Sequence, residues 1–96
     1  MRKKIVAGNW KMNLNYDEVG SLVDEILTLH SSDNNVEVIL SPPFVYLDKV
    51  IRSCANHDHV LVASQNCSEY NNGAYTGEVS ASMLNSMGVN YVIIGH

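Results

Sequence analysis

Six residues of the 96-residue chain stand at the ends of apolar runs with groups able to bind or move protons: Asn9, Lys11, Ser41, Gln65, Asn66 and His96. Lys11 offers a compact positive charge, the amides offer oriented donors and acceptors, and His96 can donate to or exchange a proton with a carbonyl. Such a set suits an anionic, oxygen-rich small molecule on which charge develops during reaction. Taken singly, each has an ordinary alternative. A loop lysine is commonly a solvated charge, and a histidine after a strand needs no function. Convergence in space would make them a site, and that depends on the elements between them.

Lys4 to Gly8 is a short apolar run with almost no polar alternation, the pattern of a strand buried on both faces. Val19, Leu22, Val23, Ile26 and Leu27 then recur at helical spacing and share one face. Asn15, followed three residues later by Glu18, can cap that helix, which should run from about Tyr16 to His30 and stop at the polar cluster Ser31 to Asn35. Val36 to Leu40 reads as a second strand. Pro42 and Pro43 close it and should open the next helix, because a proline in the first turn lacks only an N–H that would have had no partner. Leu47, Val50, Ile51 and Cys54 give that helix its apolar stripe. Val60 to Ala63 is a third strand, Ser80 to Met87 a short helix stopped by Gly88, and Tyr91 to Ile94 a fourth buried strand. Strand and helix alternate throughout, which is a parallel α/β pattern. In a parallel sheet the residues just after each strand gather on one rim, so all six groups are expected there.

The length bounds the chain at one domain or a piece of one. Apolar residues at 46% and charged residues at 17% indicate a sequence that needs a core. Six basic against ten acidic side chains give a net charge of -4, which disfavours nucleic acid or an anionic membrane as main partner. No apolar run reaches the roughly 20 residues of a membrane helix. Arg2, Lys3 and Lys4 precede an apolar run too short for a signal-peptide core, so a cytoplasmic location is expected. Cys54 and Cys67 form no CxxC pair and read as free thiols. Cys54, His57 and His59 invite a metal reading, but they fall at a helix end where basic groups suit the dipole, and no metal is expected. Asn66-Cys67-Ser68 fits the glycosylation tripeptide without a secretion signal to make it usable. The connection from Ser64 to Gly77 is the longest in the chain. Its Asn71-Asn72-Gly73 and Gly77 supply turn chemistry and lack any phosphate-loop frame.

Five segments in order carry a closer likeness: Ala7-Gly8-Asn9-Trp10-Lys11-Met12-Asn13, Leu40-Ser41-Pro42-Pro43, Gln65-Asn66, Gly73-Ala74-Tyr75-Thr76-Gly77-Glu78, and Val92-Ile93-Ile94-Gly95-His96. Through them the sequence resembles the N-terminal part of the triosephosphate isomerase family over its whole length. The first, fourth and fifth segments are specific to that family.

The resemblance implies a parallel (β/α)8 TIM barrel, of which residues 1–96 would supply the first four strands and three helices as part of a single domain. It also implies interconversion of dihydroxyacetone phosphate and glyceraldehyde 3-phosphate through an enediolate, without a cofactor. Asn9 and Lys11 match the family's substrate-binding pair, Lys11 also acting in catalysis, and His96 matches its catalytic electrophile. Gln65 looks like a supporting residue. Tyr75, Thr76, Gly77 and Glu78 match the dimer loop, with Thr76 reaching into the partner's active site, so a homodimer is implied. A full barrel takes roughly 250 residues, about two and a half times this chain. The family's Ser-Glu-Arg-Arg after the histidine, its glutamate base and its later phosphate-binding loops have no counterpart here, so the sequence is expected to be a fragment that is inactive alone. The alternative from another class is a small flavodoxin-like α/β binding module using the same rim to hold an anion.

Overall fold

The structure, a computed structural model, describes residues 4–30 and 35–96. The chain runs β1 (Lys4–Asn9), α1 (Tyr16–His30), β2 (Val36–Ser41), a 3-10 turn (Phe44–Tyr46), α2 (Leu47–Ser53), β3 (Val60–Ser64), α3 (Ala81–Met87) and β4 (Tyr91–Val92). The strands form one sheet in the order β1-β2-β3-β4, each parallel to its neighbour. Strand order equal to sequence order, with a helix-bearing crossover between successive strands, is the arrangement of one continuous arc of a (β/α) barrel. The registers Asn9↔Ser41, Leu40↔Val62 and Ser64↔Val92 bring the carboxyl ends of the strands to one rim.

α1 forms where its apolar spacing places it. The Asn15 N–H donates to Glu18 Oε1 at 2.9 Å, and the Asn15 carbonyl accepts the first helical bond from Val19 N–H. This is the glutamate half of a capping box. Val19 and Val23 are fully buried, and Ile26 and Leu27 pack at the margin. The polar cluster expected to end α1 lies, from Ser31 to Asn34, outside the described residues, as do Arg2 and Lys3.

The core lies between the three helices and one face of the sheet. Val19, Val23, Leu47, Val50, Cys54 and Leu84 meet Leu40, Val60 and Val62 there. Strand side chains alternate, so Ile39, Leu61 and Ala63 belong to the opposite, inner face. Burial of each large apolar side chain contributes about 1.5–3 kcal/mol, so the helix-facing layer supplies most of the stabilisation.

Three expectations from the sequence need correction. The prolines do not open α2. Pro42 precedes a proline and is held extended, and Pro43 itself has ψ 154°, so a 3-10 turn intervenes and α2 begins at Leu47. β1 is not buried on both faces. Ile5 is 55% and Val6 59% exposed, because β1 is an edge strand whose second side has no strand partner among the described residues. β4 is also neither long nor buried: the ladder covers Tyr91 and Val92 alone, and Ile94 is 75% exposed. Asn90 extends the pairing by one step, its N–H donating to the Val62 carbonyl while its Oδ1 accepts from Val62 N–H at 3.2 Å. Beyond the ladder, Ile93 N–H donates to the Ser64 carbonyl.

The long connection after β3 is ordered by its own bonds. Ser68 N–H donates to the Val79 carbonyl at 2.7 Å, and Ser68 and Ser80 form an isolated parallel bridge that closes the base of the loop. Ser80 then caps α3, its Oγ accepting from Met83 N–H at 3.1 Å. Gly88, at φ 89°, ends α3 in the left-handed conformation, where any other residue would be strained.

Candidate active site

Asn9 is the last residue of β1 and pairs in register with Ser41, the last of β2. Trp10 N–H donates to the Ser41 carbonyl at 3.0 Å, which carries the pairing one residue past the strand. The chain then turns sharply. Lys11 has φ 57°, a conformation that costs a non-glycine residue about 1–2 kcal/mol, and Leu14 has φ 77°. Local bonds hold the turn: Asn9 Oδ1 accepts from Lys11 N–H at 2.9 Å, and Asn13 Nδ2 donates to the Trp10 carbonyl at 2.9 Å. Asn9 thus fixes the backbone of Lys11, and the lysine side chain is exposed at the rim.

Gln65, the residue after β3, joins these pieces. Its Nε2 lies 2.8 Å from the Lys11 carbonyl and 2.9 Å from the Ser41 carbonyl. One amide, placed by β3, therefore fastens the loop after β1 to the end of β2. Ser64 Oγ donates to the Asn66 carbonyl at 3.0 Å and fixes how the chain leaves β3. The Ser41 hydroxyl is buried and has no hydrogen-bond partner among the described residues. Farther out, Tyr46 OH donates to the Leu14 carbonyl at 3.0 Å and ties the far end of the β1 loop to the turn before α2.

Of the sequence-derived set, the structure brings Asn9, Lys11, Ser41 and Gln65 into one hydrogen-bonded group. Asn66 bonds with Ser64 beside it. His96 stands past β4 on the same rim, exposed, after Gly95 at φ 70°. The hydrogen bonds that unite the other four do not reach it, so its place in the set rests on strand order.

The residues expected to form a dimer loop make none of these bonds. Tyr75 stacks face to face on Tyr70, with ring centroids 4.4 Å apart and planes 2° from parallel. Its carbonyl accepts from Glu78 N–H at 3.0 Å, which closes a turn over Thr76 and Gly77. Tyr70 was not singled out by sequence reasoning. The available signal was two tyrosines five positions apart across the Asn71-Asn72-Gly73 turn.

Among the described residues no three His, Cys, Asp or Glu side chains cluster closely enough to hold a metal ion. Both cysteines are free, and burial pushes the Cys54 thiol up to about 11, which keeps it protonated and unreactive near neutrality.

Four parallel strands in sequence order, with a helix between successive strands and a cation, amides and an imidazole after the strand ends, form one arc of a (β/α)8 barrel. A sequence model described as triosephosphate isomerase matches residues 4–96. Proteins named triosephosphate isomerase from Flavobacterium psychrophilum and Porphyromonas gingivalis are 46% identical over 96 and 97 residues, and one from Clostridium beijerinckii is 45% identical over 96. Each alignment covers 100% of this chain and 38% of the relative. The chain belongs to the triosephosphate isomerase family, and it spans about two-fifths of the length of the curated relatives it matches.

Proposed function

We propose that this chain is the N-terminal part of an enzyme that interconverts dihydroxyacetone phosphate and glyceraldehyde 3-phosphate. The observation that carries the reading is the Gln65 bond to the Lys11 carbonyl, which fixes a lysine in a strained conformation on the catalytic rim of a barrel arc of this family. The reaction moves a proton between adjacent carbons of a phosphorylated triose. Negative charge develops on the substrate oxygens as an enediolate forms. Lys11 supplies a fixed cation for the phosphate and for that developing charge, Asn9 orients it, and His96 donates to and exchanges protons with the reacting oxygens. Nothing in the step requires an electron or group carrier, so no cofactor is assigned. The base that takes the carbon-bound proton belongs to the part of the barrel these 96 residues do not supply, so the chain alone is inactive.

The working form is a homodimer. Supporting this, Met12 in the β1 loop is 94% exposed and Val45 before α2 is 80% exposed, so the surface beside the rim offers apolar contact to a partner's Tyr75 to Glu78 turn. Thr76 of that turn enters the neighbouring subunit's site. Free thiols and a central-metabolic substrate suit a cytoplasmic location. No helix among the described residues is long and apolar enough to cross a membrane.

The test is to read the coding region past His96 and assay its product. A Ser-Glu-Arg-Arg-like continuation, roughly 150 further residues and turnover of glyceraldehyde 3-phosphate are expected. An in-frame stop directly after His96, or a full-length product without isomerase activity, would overturn the reading.

A further inference from the structure

Tyr70 and Tyr75 stack face to face across the Asn71-Asn72-Gly73 turn. The base of the loop is closed by Ser68 and Val79, and Tyr70 N–H donates to Ser68 Oγ at 3.1 Å, so Tyr70 stands directly on that closed base. Tyr75 stands on the turn that leads to Thr76. The ring stack is the bridge between the two. Both rings keep nearly half their surface exposed, so the stack is not a by-product of core burial. Gly73 makes room for it: at φ 128° it occupies a backbone region that disfavours side chains, and a Cβ there would lie 2.8 Å from Tyr75 Cε2.

We infer that Tyr70 is a positioning residue for subunit association: by stacking on Tyr75 it holds the Gly73 to Glu78 turn in the shape a second copy of the protein receives. This rests on the homodimer reading. A loop already fixed in its bound shape loses less conformational freedom on docking, which raises affinity without adding an intersubunit contact. Tyr70 therefore sets how tightly subunits associate and leaves the chemistry of an assembled site alone.

The experiment is a double-mutant cycle in the full-length protein, with the dimer dissociation constant read by sedimentation and by loss of activity on dilution. Tyr70→Ala is expected to weaken the dimer roughly five- to a hundredfold, the range of one aromatic stack counted once for each subunit. Its turnover at concentrations that saturate the dimer should stay within twofold of the parent, and Tyr70→Phe should restore parental affinity. In a Tyr75→Leu background, which keeps apolar bulk but removes the stacking partner, Tyr70→Ala should change affinity less than twofold. Equal losses in both backgrounds would mean that Tyr70 acts by its own contact, and no loss in the parent would mean that the stack is idle. Either result overturns the inference while the dimer stands. A parent protein that remains monomeric at every concentration overturns the dimer reading itself.

Discussion

The side-chain amide of Gln65 donates to the carbonyl oxygen of Lys11 across 2.8 Å, between residues 54 positions apart in sequence. The same nitrogen is 2.9 Å from the Ser41 carbonyl, so the bond spans the ends of three adjacent strands. It holds the backbone of the residue with φ 57° in a conformation the residue would otherwise leave. Replacing Gln65 with Leu or Glu removes the donor and leaves two carbonyls facing an apolar group or an acceptor. A net loss of about 1–3 kcal/mol is expected from such a change. In the full-length enzyme Gln65→Leu should lower kcat/KM by roughly tenfold or more with the fold retained by circular dichroism, because Lys11 is misplaced rather than absent. Parental kinetics in both variants would show that the clamp is unnecessary.

Lys11 and His96 are expected to fail differently. On the proposed reading Lys11→Met removes a cation that serves both the phosphate and the developing charge, so KM should rise and kcat should fall together. His96→Gln keeps an amide donor but loses proton exchange. It should cost on the order of 100-fold or more in kcat, the scale of one positioned acid or oxyanion donor. Steady-state kinetics of the two full-length variants separate the cases, and near-normal turnover in either rejects the role assigned to it.

Cys54 gives a prediction about pH. Its thiol lies in the core at the end of α2, and burial raises its pKa from 9.0 to about 11. The unfolded chain loses this proton first, so between about pH 9 and 11 the folded state binds more protons and stability falls as pH rises. Below about pH 9 both states are protonated and the effect vanishes. The drop in the urea midpoint of the full-length protein between pH 8 and 10.5 should be steeper for the parent than for Cys54→Val, which has no proton to lose. Indistinguishable slopes would sink the prediction. Alkylation at pH 8 should likewise reach Cys67, which is only partly buried, well before Cys54.

Periodicity made α1 legible, because Val19, Val23, Ile26 and Leu27 have only one helical face to share and Asn15 with Glu18 marks where it starts. The meeting of Asn9, Lys11, Ser41 and Gln65 was legible for a similar reason: parallel strands leave only one place for the residues that follow them. Local pattern could not show that Gln65 bonds backwards to Lys11, since that depends on β1 and β3 both flanking β2. Nor could it show the exposure of β1. An apolar run such as Ile5-Val6-Ala7 does not reveal whether its strand is central or at an edge, and the sheet of the described residues leaves it at an edge. The Pro42-Pro43 pair misled because two rules compete there. Proline suits a first helical turn, but a proline followed by proline is held extended, and the second rule prevails.

That edge carries the last prediction, which concerns the 96 residues expressed alone. Among the described residues β1 has no strand partner on its outer side, where Ile5 and Val6 are exposed, and the β4 side presents Tyr91 and Ile94. α1, α2 and α3 cover one face of the sheet, and on the other face Ile39 and Ala63 are themselves buried, so the uncovered apolar surface lies at the two edges, in Ile5, Val6, Tyr91 and Ile94. Open edges and uncovered apolar surface both favour association, and a domain of this size has little stability in reserve. The isolated polypeptide is therefore expected to self-associate, to unfold over a broad range of denaturant, and to show no turnover of glyceraldehyde 3-phosphate above buffer, since it lacks a base and a lid to exclude water. Sedimentation, urea titration and a coupled assay on the purified chain check the three parts. A monodisperse monomer with a sharp unfolding transition would refute the stability claim, and turnover above the buffer rate would refute the chemical one.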